Sequence, residues 1–71
     1  MSATAAIKNR LKDIGMSQIE LAQKIGITRQ NLNNKLSRDN FTAKELDKIC
    51  KAIGLKLIAV DKNGKDYIIE Y

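Results

Sequence analysis

The chain has 71 residues, thirteen Lys or Arg against eight Asp or Glu, a net charge of +5, one Cys and no His. That length makes one domain with a small core, and a lone cysteine leaves no internal disulfide to staple it. Residues 1–38 hold seven cations and two anions, whereas residues 39–71 hold six of each, so the whole excess lies in the first half. Missing His removes the commonest general base. There is no second Cys for a metal site and no Gly-rich phosphate loop. The carboxylates are scattered among cations. An enzyme is therefore not expected, nor a cofactor, a metal site or a small-molecule effector. No apolar run is long enough to cross a bilayer and no signal peptide is visible, so the cytoplasm is the expected compartment.

Four helices are expected, at about residues 4–14, 17–25, 28–37 and 42–53. Three segments open alike: Met16-Ser17-x-x-Glu20-Leu21, Ile27-Thr28-x-x-Asn31-Leu32 and Phe41-Thr42-x-x-Glu45-Leu46. The first and third are full capping boxes, in which the hydroxyl accepts from the N3 amide and Glu accepts from the cap amide. The flanking apolar pairs are hydrophobic staples. The second segment has Asn in place of Glu and keeps only part of the box. Gly15, Gly26 and Gly54 follow three of the helices, where a left-handed residue often terminates the turn.

The apolar stripes fit one core at i, i+3, i+4 spacing. They are Ile7, Leu11 and Ile14; Leu21, Ala22 and Ile25; Leu32 and Leu36; and Leu46, Ile49, Cys50 and Ile53. Cys50 reads as a small core residue. Ile19 falls on the solvent side of the second helix.

After Gly54 the period changes to two. Residues 55–60 and 66–71 flank Asp61-Lys62-Asn63-Gly64-Lys65, a strong hairpin signal. A two-residue Asn63-Gly64 turn sets Lys62 against Lys65 and Asp61 against Asp66. A three-residue loop with Gly64 in the left-handed position pairs Asp61 with Lys65 and Lys56 with Glu70. The second register is preferred, since opposite charges across strands contribute about 0.2–1 kcal/mol each. Leu55, Leu57, Ala59, Tyr67, Ile69 and Tyr71 then share the face expected to cover the helices. Ile58, Val60 and Ile68 share the other, among Lys56, Asp66 and Glu70. An isolated two-stranded ribbon is marginal and has two open edges. A second copy of the chain is the expected cover, with Ile58, Val60 and Ile68 at the dimer interface; a monomer is the alternative. Residues 1–54 and 55–71 are thus a helical part and a dimerisation element of one compact unit.

The third helix has an unusual exposed face. Measured from Leu32, Leu36 is near and faces the core, while Gln30 and Asn34 lie on the opposite side. Arg29 is in the first turn, and Asn33 flanks the same surface. Arg suits guanine O6/N7, and Gln or Asn suits adenine N6/N7. So many Asn and Gln lower helix propensity, which points to a use beyond solvation.

Residues 16–36 resemble the helix-turn-helix of lambdoid phage repressors, Cro proteins and related small bacterial regulators (Cro/CI-like, Xre family). The resemblance rests on Gln18, Ala22 four residues on, Gly26 in the turn and Leu32 in the recognition helix, and covers about residues 4–53. It implies a mainly α, four- to five-helix lambda-repressor-like DNA-binding domain, here with four helices and a C-terminal hairpin. It implies that Gln18 contacts a phosphate, that Arg29, Gln30 and Asn34 reach base edges, and that Ser37, Arg38 and Asn40 touch the DNA backbone. Asn33 is added to the base readers, and Ser17, Thr28 and Lys35 to the phosphate contacts. Many members continue with a fifth, dimerising helix; here the hairpin stands instead, and in Cro proteins a C-terminal strand can pair two protomers.

The expected function is a DNA-binding transcriptional regulator, a repressor acting as a homodimer on a palindromic site in double-stranded DNA. The alternatives are an antitoxin-type autoregulator whose hairpin binds a toxin, and a protein-interaction module that has lost DNA binding.

Overall fold

The computed structural model describes residues 2–71. Its elements are α1 (Ala3–Ile14), α2 (Gln18–Ile25), α3 (Arg29–Arg38), α4 (Ala43–Ala52), β1 (Ile58–Val60) and β2 (Asp66–Ile68). Four helices and a two-stranded antiparallel hairpin make a mainly helical protein, as the sequence pattern implies.

Each helix begins on a hydroxyl. Ser17 and Thr42 form complete capping boxes with Glu20 and Glu45. Thr28 accepts from the Asn31 amide at 3.0 Å without a return bond, the half-box that Asn at that position leaves. Ser2 caps α1 in the same way, accepting from the Ala5 amide at 3.0 Å. Each such cap is worth about 1 kcal/mol. The staple residues Met16, Ile27 and Phe41 pack against the core that contains Leu21 and Leu32, which fixes the angle at which the chain enters each helix.

Gly15 and Gly26 terminate α1 and α2 in the left-handed conformation. At the end of α4 the left-handed residue is Gly54, one place past the cap Ile53, and the Leu55 amide reaches back to the Cys50 carbonyl at 2.8 Å. α3 ends differently. Its cap is Asp39, the one residue other than glycine with a positive φ (49°) among those described.

Ile7, Leu11, Leu21, Ala22, Ile25, Leu32, Leu36, Ile49 and Ile53 form the core cluster. Cys50 is buried too, and burial first, then the neighbouring Asp47 carboxylate, raises its thiol pKa. One expectation for the helical core needs correction. Ile14, assigned to the core stripe of α1, is 38 % exposed, because the last turn of that helix runs past the packed interior. Asp47 is buried at 6 % exposure although it lies about 160° around α4 from Ile49. The base of the hairpin shares a groove with it, and Lys51 pairs with its carboxylate at 3.0 Å. Ile19 is exposed, as its helical position requires.

The hairpin adopts the three-residue loop. Ile58 pairs with Ile68, Ala59 with Tyr67 and Val60 with Asp66. Gly64 sits at φ 87°, and its amide donates to the Asp61 carbonyl at 3.0 Å. The charges work differently from the expected cross-strand pairs. The Asp61 carboxylate accepts from the Asn63 and Lys65 amides at 2.8 and 3.0 Å, closing the turn itself. Among the described residues neither Asp61–Lys65 nor Lys56–Glu70 forms an ion pair. Cover of the helices is also narrower than expected. Leu55, Leu57 and Ile69 are half-buried, whereas Ala59, Tyr67 and Tyr71 are exposed. Only the base of the hairpin lies against the helices.

Candidate nucleic-acid interface

α3 is anchored by Leu32 and Leu36, both buried, and by the Thr28 cap. That leaves Arg29, Gln30, Asn31, Asn33, Asn34, Ser37 and Arg38 exposed along one helix. Among the described residues none of these seven side chains hydrogen-bonds within the chain.

The surface has two parts. Arg29, Gln30 and Asn33 line an open depression of about 330 Å³. Asn31, Asn34, Lys35, Arg38 and Asn40 line a second, of about 220 Å³. Helical angles account for the division. From Leu32, Arg29 and Asn33 lie at about 60° and 100°, Gln30 and Asn34 at about 160° and 200°, and Arg38, Asn31 and Lys35 from about 240° to 300°. The sequence pattern groups Arg29, Gln30 and Asn34. The structure brings Arg29 and Gln30 together with Asn33, and places Asn34 beside Arg38 and Asn40.

Of the other candidate residues, Lys35, Arg38 and Asn40 line the second depression. Gln18 is the first residue of α2 and is half-buried; Ser17 and Thr28 are exposed caps. A capping hydroxyl accepts from an amide and keeps its own O–H to donate, so capping leaves Ser17 and Thr28 able to bind a phosphate oxygen. Lys35 is different. It is half-buried and ion-paired with Glu45, which also accepts the Thr42 amide at 2.8 Å. Lys35 foremost, and then Thr42, hold the Glu45 carboxyl below the usual range. The pair ties α3 to the start of α4, and a phosphate contact by Lys35 would compete with it.

Three residues that position the surface escape a reading of the sequence. Asp39 accepts the Thr4 amide at 2.9 Å, and the Thr4 hydroxyl donates to the Leu36 carbonyl at 2.8 Å. Arg10 donates through Nε to the Ile53 carbonyl at 2.9 Å, capping α4 from α1. One cation of the basic half is thus occupied in holding the fold. These partners lie 32 to 43 residues apart, so no local pattern marks them.

Among the described residues no three His, Cys, Asp or Glu side chains are grouped to hold a metal ion, and no helix is long and apolar enough to cross a membrane. No curated protein and no solved structure matches the chain. A family model does, that of the Cro/C1-type helix-turn-helix DNA-binding domain, over residues 6–58. Its span takes in all of α2, α3 and α4 and the start of β1. With that match over a fold of four capped helices and an exposed amide-rich α3, the chain belongs to the Cro/C1-type helix-turn-helix DNA-binding family.

Proposed function

We propose that this DNA-binding protein is a sequence-specific transcriptional regulator, a repressor that binds a palindromic operator as a homodimer. One observation carries the reading: the exposed face of α3 displays Arg29, Gln30, Asn33 and Asn34 free of partners within the chain. Side chains already satisfied inside a protein have little to offer a base edge, and these four have donors and acceptors to spare.

Arg29, Gln30 and Asn33 read bases from one depression, and Asn34 reads from the boundary with the second. Gln18, Ser17, Thr28, Ser37, Arg38 and Asn40 hold phosphates on either side. Lys35 does so only when it leaves Glu45. The +5 excess of residues 1–38 supplies the long-range attraction. Repression follows from occupancy of the site. Pairing of two copies falls to the hairpin, whose Ile58, Val60 and Ile68 are all exposed.

Selection of bound duplexes from a random pool tests this directly. The expected result is two inverted half-sites about 34 Å apart, one turn of DNA, for two α3 helices in successive major grooves. A pool with no enriched sequence, despite salt-dependent binding, would leave a DNA-binding protein without sequence preference. A single enriched half-site would remove the homodimer.

A further inference from the structure

The hairpin holds charges that its own fold leaves unused. Leu57 and Ile69 form a hydrogen-bonded pair, as do Asp61 and Lys65. Pairs alternate in an antiparallel ladder. Ile58 and Val60 on β1, and Asp66 and Ile68 on β2, therefore turn their main-chain groups outward to the open edges. Their side chains share one face, with Lys56 on the β1 side and Glu70 on the β2 side. That face is basic at the base of β1 and acidic along β2. Ile58 is 39 % exposed and Ile68 60 % exposed. Among the described residues Lys56 and Glu70 have no ion-pair partner, although Asp47 and Lys51 rim the same groove and pair with each other.

Resting on the homodimer reading, we infer that two copies pack these hairpin faces together about a two-fold axis parallel to the strands. That axis lays β1 of one protomer over β2 of the other. Lys56 comes to face the partner's Glu70, and Ile58 the partner's Ile68, each contact formed twice. An axis across the strands sets Asp66 over the partner's Glu70 twice. Edge pairing of two β2 strands centred on Ile68 does the same. Only the first arrangement matches opposite charges in both copies while covering the isoleucines. The face is small, roughly 200 Å² per protomer from strand spacing and rise, against about 800 Å² per partner in a standard interface. The free protein therefore dimerises weakly, and two half-sites on one duplex complete the pairing by raising effective concentration.

The test uses Lys56→Glu and Glu70→Lys in the full chain, with helix content checked by circular dichroism. Sedimentation equilibrium is run at high protein concentration on the parent, each variant and their equimolar mixture. Either variant alone places like charges across the interface twice and dimerises more weakly than the parent. The mixture forms a heterodimer about tenfold more tightly than either variant alone. In that heterodimer the new acid at position 56 faces the new base at position 70, and the retained Lys56 faces the retained Glu70. Within each chain positions 56 and 70 remain alike on mixing, so the gain reports only the contact between chains. A mixture no tighter than its components overturns the face-to-face arrangement while leaving the dimer. So does a Glu70→Lys protein that dimerises like the parent, which would point to β1 edges, or open-ended growth, which would point to head-to-tail edges. A parent that stays monomeric throughout removes the dimer reading itself.

Discussion

The main chain of Thr4 is tied to the side chain of Asp39 at 2.9 Å, and the Thr4 hydroxyl returns to the Leu36 carbonyl at 2.8 Å. Two helix ends satisfy each other in this exchange. The Thr4 amide is one of the first-turn donors of α1 without an intrahelical acceptor, and the Leu36 carbonyl is a last-turn acceptor of α3 that otherwise takes only a long bond, 3.3 Å, from the Asp39 amide. Asp39 reaches Thr4 from a left-handed conformation (φ 49°) that costs an ordinary L-residue about 1–2 kcal/mol.

Replacing Asp39 separates these effects. Asp39→Asn keeps both the acceptor and the tolerance for positive φ and should change stability little. Asp39→Gly relieves the backbone but loses the bond. Asp39→Ala loses both and should be the least stable of the three, by about 1–2 kcal/mol relative to the parent. Thr4→Val should cost about 1 kcal/mol through loss of the hydroxyl bond, which leaves the Leu36 carbonyl only the 3.3 Å bond from the Asp39 amide. Urea unfolding of the four variants gives the order. Because Arg38 and Asn40 flank Asp39, the Ala variant should also bind every duplex somewhat less tightly, without a change in preferred sequence.

Arg29 and Arg38 stand on opposite flanks of α3 and should fail differently. Arg29→Ala should cost about 1–3 kcal/mol on the selected site and relax preference at one base pair. Arg38→Ala should weaken selected and random duplexes alike and lower the salt slope by about one. Fluorescence anisotropy across a salt series, on both duplexes, checks both. Equal losses on the two duplexes for Arg29→Ala would remove it from the base readers.

Much of this arrangement is legible in the sequence because it is local. The capping boxes of Ser17 and Thr42 span four residues, Gly26 follows its helix directly, and Asn63-Gly64 marks the hairpin loop, although its register is preferred on cross-strand ion pairs that do not form among the described residues. The exposed amides of α3 follow from the position of Leu32 and Leu36 alone. What the sequence hides is long-range or depends on where packing stops. Thr4 with Asp39, Arg10 with Ile53 and Lys35 with Glu45 join residues that only the finished bundle brings together. Ile14 keeps the helical period and still emerges, since period defines a face and not the extent of what covers it. Tyr67 fails the same way: alternation assigns it to the inner face, but the helices reach only the base of the hairpin, whereas Tyr71 lies at that base, with its carbonyl bonded to Lys51, and still leaves its ring exposed.

Arg10 offers a control for the electrostatic reading. Its guanidinium caps α4, and a Cβ placed on Gly54 would lie 3.1 Å from Arg10 Nη2. Arg10→Gln should therefore lower stability by about 1 kcal/mol or more, with the salt slope of DNA binding unchanged. Gly54→Ala should destabilise further than Gly15→Ala. Both glycines have positive φ, but the space at Gly15 is open. Thermal unfolding ranks the two, and a salt series on Arg10→Gln completes the test.

The Lys35–Glu45 pair links stability to pH and, through Lys35, to DNA. The folded protein holds the Glu45 carboxyl below its unfolded value, because the Lys35 ammonium and the Thr42 amide favour the carboxylate. Its contribution is then fully present above the unfolded carboxyl range and is lost as pH falls through the lowered folded value. Glu45→Gln should remove that part of the acid dependence, leaving a flatter profile of urea midpoint against pH. The same variant frees Lys35 at the edge of the second depression of α3. If Lys35 then reaches a phosphate, the salt slope should steepen by about one relative to the parent. An unchanged slope would confine Lys35 to joining α3 and α4, and would leave Arg38 as the cation of that flank.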